Sequence, residues 1–266
     1  MQHIRQPAHR SGISWRGAIP ALSAMLVLAT GMPAGAASDD SDSGTAETYT
    51  GIFIGSGLSG NRIVDIEGFA NWGQPGYRLD YGDNRFVAGV LLGTKFGLGG
   101  VRLRVEFDGT FGDLSGRSNR LDPEGLDETA GSNIDWVATG RVGFDLPVGV
   151  ATAFATAGLA AAGVTNFVTD IDSGRDILPH WDPDDSFRAG TTGLGPVIGA
   201  GIEAPLTGAW RFRIEGSFLD FGWSTHTVNH SGNNRCGPGN PRRPCPYKVR
   251  NRLGIVRFGL IHRFGP

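Results

Sequence analysis

The sequence predicts an all-β protein: an eight-stranded antiparallel up-and-down transmembrane β-barrel with short periplasmic turns and long extracellular loops. Three observations lead to this prediction. Segments with alternating apolar and polar residues recur along the chain, their connections alternate between short and long, and Gly supplies 43 of the 266 residues. Alternation with a period of two is typical of a strand with one apolar and one polar face. The Gly residues follow no three-residue period, which excludes a collagen-like chain.

The first 36 residues have the order of a secretory signal peptide. Three basic residues, Arg5, Arg10 and Arg16, precede an apolar run over 18–28, and Ala34, Gly35 and Ala36 follow it. The run is shorter than the ~20 residues that a membrane-spanning helix needs, and it ends in the small residues of a cleavage site. We therefore expect three parts: a signal peptide over 1–36, a short N-terminal segment over 37–47, and an outer-membrane β-barrel domain over 48–266.

The charge and the hydropathy of the chain limit the kinds of protein to which it can belong. The formal net charge of −2 gives no reason to expect nucleic acid as a partner. After residue 40 no stretch approaches the ~20 continuous apolar residues of a membrane-spanning helix. If the chain crosses a membrane, strands must therefore form the crossing.

The segment 101–111 shows the strand pattern most clearly. Val101, Leu103 and Val105 fall on one face, and Arg102 and Arg104 fall on the other. Similar segments bring the total to eight, each near or above the ~9–11 residues that a tilted strand needs to cross a bilayer. The predicted strands are 48–60, 86–98, 101–111, 136–146, 151–166, 192–205, 210–218 and 254–264.

The connections between these strands alternate in length. Short ones occur at 97–100, 147–149 and 205–209, and long polar ones occupy about 61–85, 113–133, 167–191 and 225–250. Short turns at one end and long loops at the other are typical of a transmembrane barrel. An even number of strands places both termini at the short-turn, periplasmic end.

Charged residues of both signs occupy the polar face of the strands. A soluble exported β-domain is the alternative fold, and there such a face would be solvated. In a small membrane barrel it fills the interior, where charges are tolerated when they are paired and hydrogen-bonded. The mix of signs favours the barrel. The predicted interior charge network comprises Arg102, Arg104, Glu106, Asp108, Arg141, Asp145, Arg211, Arg213, Glu215, Arg257 and Arg263.

Aromatic residues at strand ends support the same fold. The strand ends carry Trp136, Trp210 and Phe264. A membrane barrel has girdles of aromatic residues at these positions, at the level of the membrane–water interface. An eight-stranded barrel is just wide enough for side chains to fill. A small-solute channel is therefore an alternative that we disfavour.

Two segments resemble a known family. Residues 49–57, Tyr-Thr-Gly-Ile-Phe-Ile-Gly-Ser-Gly, are similar to the opening strand of opacity-type and OmpA-like small outer-membrane barrels. Residues 257–264, Arg-Phe-Gly-Leu-Ile-His-Arg-Phe, resemble the Phe-terminated closing strand by which such proteins are recognised for insertion. The resemblance implies an envelope protein with a structural or adhesin-like role, without catalysis or a cofactor. The partners it implies are the insertion machinery, outer-membrane lipid, lipopolysaccharide and an extracellular ligand.

The two cysteines of the chain lie in the last long connection. Cys236 and Cys245 enclose a Pro- and Gly-rich segment, and in an exported protein a disulfide between them is expected. A metal site is the weaker alternative, because no second pair of ligands has suitable spacing. Arg242 and Arg243 would then lie at the tip of a closed loop. A solvated loop tip without a partner is the simpler interpretation, and contact with anionic lipopolysaccharide or a host ligand is the alternative.

Other polar clusters are weaker candidates for chemistry. His226, His230 and Ser231 suggest a lipid A-modifying hydrolase, but adjacent residues of a strand point to opposite faces, and a base must reach its nucleophile. Acidic clusters at 170–172 and 182–185 lack the ordered spacing of a calcium loop. We therefore expect no catalytic, cofactor or metal site.

Overall fold

The computed structural model describes residues 46–66, 75–76, 78–98, 101–120, 126–172, 180–228 and 245–264. These residues form ten β-strands. Their bounds are β1 Glu47–Asp65, β2 Arg78–Tyr81, β3 Asn84–Leu98, β4 Val101–Phe111, β5 Gly116–Arg120, β6 Leu126–Val148, β7 Ala151–Asp172, β8 His180–Thr207, β9 Trp210–Val228 and β10 Cys245–Phe264. In these ranges no helix is long and apolar enough to cross a membrane. The predicted signal peptide lies outside the described residues and stays a prediction.

Eight of the strands close into a ring. The order is β10-β9-β8-β7-β6-β4-β3-β1, and β1 pairs in turn with β10. The closing ladder is antiparallel and runs from Thr48 opposite Phe264 to Asp65 opposite Tyr247. Closure leaves the ring without an open sheet edge. The predicted eight-stranded antiparallel barrel is therefore confirmed, with the short strands β2 and β5 added beside β1 and β6.

Three pairs of neighbouring strands end close together at one end of the barrel, which we call the turn end, and the first pair ends where Leu98 lies opposite Val101. Val148 pairs with Ala151, and Gly149 between them has a φ of +60°. Thr207 pairs with Trp210 around Gly208, whose φ is +53°. A positive φ of this kind suits Gly in the tight turn of a two-residue hairpin. All three short connections thus fall where the sequence predicts them.

The opposite end, the loop end, differs from the prediction because strand structure extends into every long connection. The strands β7 and β8 stay paired as far as Asp172 opposite His180. The backbone of the acidic clusters at 170–172 and 182–185 is therefore part of β7 and β8. The short strands β2 and β5 also lie within ranges predicted as loops. Inward apolar residues such as Ile63, Tyr81 and Val249 are present in these segments, but they lie among polar residues, and the sequence analysis took the segments for loops. Backbone pairing nevertheless continues there.

The outer face of the ring is apolar over a broad band. Side chains such as Ile52, Leu159, Leu194 and Ile198 are largely exposed, with Leu159 at 72% and Leu194 at 71%. At the turn end the band closes on aromatic rings, since His262 stacks at 4.8 Å on both Trp210 and Phe264. An apolar outward band bordered by aromatic rings is the surface that lipid requires.

The interior of the ring is filled by side chains. Some are large, and Gly residues on facing strands make room for them. Tyr49 is fully buried and pairs with Gly93, where an added Cβ would lie 2.4 Å from the tyrosine ring. Phe53 is packed against Gly89 in the same way. Part of the high Gly content is explained by this close approach of aromatic rings to the neighbouring strand.

Candidate functional site

The main polar feature of the barrel is a set of buried, mutually paired charges in the turn-end half of the interior. We call this set the interior charge network. Alternate residues of a strand point to the same face, so the pattern Arg104, Glu106, Asp108 on β4 delivers three charges into the interior. Among the described residues the network contains five cations and five carboxylates. They are Lys95, Arg104, Arg141, Arg213 and Arg257, with Glu106, Asp108, Asp145, Glu203 and Glu215.

Glu106 lies at the centre of this network. Arg213 binds it with both terminal nitrogens, at 2.6 and 2.8 Å. Arg104 and Arg141 each approach a Glu106 oxygen to 3.1 Å. Tyr49 completes the set, because its phenolic O–H donates a hydrogen bond of 2.6 Å to Oε1. One carboxylate is thus held by three guanidinium groups and a hydroxyl.

Asp108 and Glu215 extend the network across the interior. Arg257 lies 3.0 Å from Asp108 and 2.9 Å from Glu215, and Arg141 contacts both carboxylates. Arg213 also approaches Glu215, at 2.7 Å. These contacts join β4, β6, β9 and β10, strands on different sides of the ring, by ion pairs through the interior.

Two members of the network were missed by the sequence analysis. Lys95 Nζ lies 2.6 Å from Glu203 and 3.1 Å from Asp145. Glu203 also accepts a hydrogen bond of 3.0 Å from Arg104. Both residues fall in inward positions of predicted strands, so strict alternation from Leu91 and from Val197 would have found them. Each lies in a segment dominated by Gly and apolar residues, where a single charge is easily passed over.

The structure places eight of the eleven predicted network residues in this buried set and three elsewhere. Arg102, Arg211 and Arg263 point inward but lie at the turn-end mouth. Arg263 forms an ion pair with Glu47, and Arg102, 43% exposed, lies 3.8 Å from the same carboxylate. Alternation shows on which face of a strand a residue lies, but not how far along the barrel axis it lies. For this reason the sequence did not separate these three residues from the buried set.

Aromatic rings cover the guanidinium groups of the network. The Phe154 ring centroid lies 4.0 Å from Arg104 and 4.3 Å from Arg213, and Phe53 lies 4.4 Å from Arg257. Cation–π contacts of this kind stabilise a desolvated cation. The arrangement is a charge-balanced filling of the interior.

Above the charges, toward the loop end, an apolar layer crosses the interior. Its members are buried side chains from β3, β6, β7, β8, β9 and β10 and from the segment after β4, with exposures of 9% or less. They are Val87, Leu114, Ile134, Val137, Ala160, Ala162, Val164, Val197, Leu219, Phe221, Leu253 and Ile255. Such a layer offers no ligand to a passing ion, and ions pay a high cost to enter an apolar medium.

A network of polar side chains follows at the loop end. Asn251 donates to Asn61 and Ser132 at 3.0 Å each, and Ser132 donates to Asn166 at 2.6 Å. Nε2 of His226 lies 3.1 Å from the Asn166 amide nitrogen and 2.9 Å from Ser224 Oγ. Burial lowers the pKa of His226, so the ring stays neutral near pH 7.

His226 therefore points into the barrel from β9, and not from a loop as predicted. The remaining candidates of the last long connection, Cys236, His230, Ser231, Arg242 and Arg243, lie outside the described residues. The disulfide between Cys236 and Cys245 accordingly stays a prediction. In the described ranges no three His, Cys, Asp or Glu residues group as metal ligands.

Comparison with known proteins finds similarity at the level of the fold. No family model and no curated protein matches the sequence. Solved structures with a similar chain trace include OprG of Pseudomonas aeruginosa, an outer-membrane protein, at 14% identity and a TM-score of 0.44, covering 81% of this chain and 96% of that one.

Two further solved structures are similar to this chain. Ail, the attachment invasion locus protein of Yersinia pestis, is 11% identical with a TM-score of 0.32, covering 82% of this chain and 99% of Ail. The outer-membrane protease OmpT of Escherichia coli is 10% identical with a TM-score of 0.36, covering 87% of this chain and all of OmpT. An attachment invasion locus protein and an outer-membrane protease are thus both among the similar folds.

Proposed function

We propose that this chain is an integral protein of the bacterial outer membrane, exported by its N-terminal signal peptide. A closed strand ring with an apolar exterior is one of the few structures that satisfy every backbone polar group in lipid. The turn end would face the periplasm and the loop end the cell exterior. The insertion machinery would recognise the closing strand β10, which ends in Phe264.

We further propose a structural or surface-interaction role, adhesin-like and without catalysis. The observation that carries this proposal is the filled interior. A balanced set of buried charges and an apolar layer together occupy the space that a channel would keep open. What the barrel then presents to its surroundings is the set of long connections at the loop end, with lipopolysaccharide and an extracellular ligand as partners.

A lipid A-modifying hydrolase, the alternative function, finds less support. Its site would have to face the membrane, where the acyl chains lie. His226 and its neighbour Ser224 instead hydrogen-bond to each other on the inward face of β9. A small-solute channel is disfavoured by the apolar layer.

The location can be tested on whole cells and on the purified protein. A folded barrel should migrate faster on a detergent gel before heating than after heating. Protease added to intact cells should cut within residues 229–244. Recovery in the soluble fraction, with no heat-dependent mobility, would disprove the membrane assignment.

The adhesin-like role needs a separate test. Cells producing the wild-type chain should adhere to cultured epithelial cells more than cells producing the R242Q/R243Q variant, at equal surface abundance. An R102Q/R211Q variant is the charge-matched control, because those arginines lie at the turn end. Adhesion no greater than that of cells lacking the protein would count against the role.

A further inference from the structure

We infer that the barrel carries a binding site for the phosphate groups of an anionic glycolipid in the outer leaflet of the membrane. The inference rests on the proposed membrane orientation. The site is a patch of outward-facing side chains near the loop end of β1, β2 and β10, which we call the loop-end cationic patch. Its basic members are Arg62, Arg78, Lys248, Arg250 and Arg252.

Strand register brings these residues together. Arg62 pairs with Arg250 across the β1–β10 ladder, and Val64 pairs with Lys248 two residues further toward the loop end. Val64 also pairs with Arg78 of β2 on its other side. Directly opposed residues of a ladder have Cβ atoms only about 5 Å apart. Arg252 follows two residues nearer the turn end, opposite Gly60.

The patch faces away from the barrel. Its residues alternate with fully inward ones, because Asn61, Ile63, Val249 and Asn251 are buried in the interior. The side chain of Arg62 is 43% exposed, and those of Arg250 and Arg252 are 32% and 33% exposed. The cations are thus available to a partner that approaches from the side.

The patch lies immediately above the apolar band. On the same two strands, going toward the turn end, the outward pairs are Ile54 with Phe258 and Ile52 with Leu260. All four side chains are at least 40% exposed. The exterior therefore changes from apolar to cationic between the level of Leu58 and that of Gly60. That boundary is where the lipid headgroups of the facing leaflet begin.

Two carboxylates lie among the cations and hold them in position. Asp80 binds Arg62 through two nitrogens, at 2.5 and 2.9 Å. Asp220 contacts Arg250 at 2.5 Å and Arg252 at 3.2 Å. Five cations against two carboxylates leave an excess of three positive charges. The patch is therefore preorganised, and within the described part of the chain it keeps a net positive charge.

The local backbone favours this grouping. Gly222, with a φ of +71°, forms a bulge in β9, and its N–H donates to Asp220. The bulge shifts the register so that Trp223 lies opposite Arg250, whose guanidinium carbon is 5.8 Å from the indole ring centroid. A half-exposed Trp at this height is typical of the membrane interface.

This chemistry fits phosphate better than other lipid groups. Guanidinium groups bind phosphate oxygens in a planar, two-nitrogen geometry, and Lys adds a point charge. A zwitterionic headgroup would bring an ammonium group into a patch that is already positive. A glycolipid with phosphates on its sugar headgroup places several anionic oxygens at the level of the patch.

The test uses the full-length mature chain, folded in detergent, titrated with bis-phosphorylated lipid A. Wild type should bind this lipid and should bind enzymatically dephosphorylated lipid A far more weakly. The K248Q/R252Q variant removes two cations, each worth about a kcal/mol near an anionic lipid surface, so binding should weaken by about 10- to 30-fold. The charge-conserving K248R/R252K variant should bind as wild type does.

Each control has an outcome that decides the proposal. The R102Q/R211Q variant, which loses the same charge at the turn end, should keep wild-type affinity. Equal weakening by both double Gln variants, or no weakening by either, would overturn the assigned site. If phosphatidylglycerol bound as tightly as lipid A, the assignment of a glycolipid as the ligand would be wrong. Heat-dependent gel mobility verifies that each variant is folded. The cell-surface protease test is separate, and its failure would disprove the proposed membrane location whatever the binding results are.

Discussion

Arg213 of β9 and Glu106 of β4 face each other across the barrel interior in a two-nitrogen ion pair, with distances of 2.6 and 2.8 Å. The two strands are separated by three others on one side of the ring. Both side chains are buried, at 1% and 0% exposure. The pair therefore ties opposite walls of the barrel together.

Loss of the Glu106 charge should be strongly destabilising. In Glu106→Gln three guanidinium groups lose their shared anion, and breaking a buried ion pair from one side costs roughly 3–5 kcal/mol. Urea unfolding in lipid vesicles, followed by tryptophan fluorescence, measures the change. Asp80→Asn is the control, because its exposed pair with Arg62 should contribute no more than about 1 kcal/mol. Equal effects of the two substitutions would contradict the interior assignment.

Removing both partners should cost less than the sum of the single changes. Glu106→Gln with Arg213→Gln restores the balance of charge in the interior, and contacting residues show coupling of about 0.5–3 kcal/mol. A double-mutant cycle on the free energy of unfolding measures this coupling. Strict additivity would mean that the two side chains do not form the pair that the structure shows.

A methyl group at Gly93 should disturb the network indirectly. An added Cβ would lie 2.4 Å from the Tyr49 ring, so the ring must move and its hydrogen bond to Glu106 must weaken. Overpacking of this kind costs about 1–3 kcal/mol. Gly190→Ala is the matched control, because the nearest atom to its Cβ, Thr165 Oγ1, is 3.9 Å away. Gly190→Ala should leave the unfolding midpoint nearly unchanged, and a larger loss there than at Gly93 would refute the packing argument.

Acid should weaken the loop-end polar network through His226. Burial lowers the pKa of this imidazole below its ordinary 6.5, so the unfolded chain takes up the proton more readily than the folded chain. The stability contributed by the neutral ring is present above about pH 6.5 and is lost as the pH falls through the lowered pKa. Between about pH 8 and about pH 5, wild type should lose more stability than His226→Gln, which cannot titrate. Identical pH profiles would rule out this role.

The strands that carry the apolar outer band were predictable, because the different requirements of their two faces leave a visible pattern in the sequence. An exterior that must be apolar and an interior that must be polar or small impose strict alternation, as in 101–111. The short turns were predictable for a related reason, since Gly149 and Gly208 mark positions of positive φ. Ring closure was favoured over a soluble β-domain by the mix of charges on the polar face, and the β1–β10 ladder confirms it.

The height of a residue along the barrel was not predictable from alternation. Arg104 and Arg102 share a face, yet one is buried among carboxylates and the other lies at the mouth beside Glu47. The register between strands decides this, and it depends on turns and bulges such as the one at Gly222. For the same reason the outward grouping of Arg62 with Arg250 is not visible in the sequence, where the two lie 188 positions apart.

The closed interior is the central claim, and planar-bilayer recording tests it most directly. Refolded protein whose gel mobility shifts on heating is inserted into a bilayer, and current is recorded across a range of voltages. The interior charge network and the apolar layer above it predict a baseline without stable conductance steps. Stable, large single-channel currents from that same folded protein would contradict the claim.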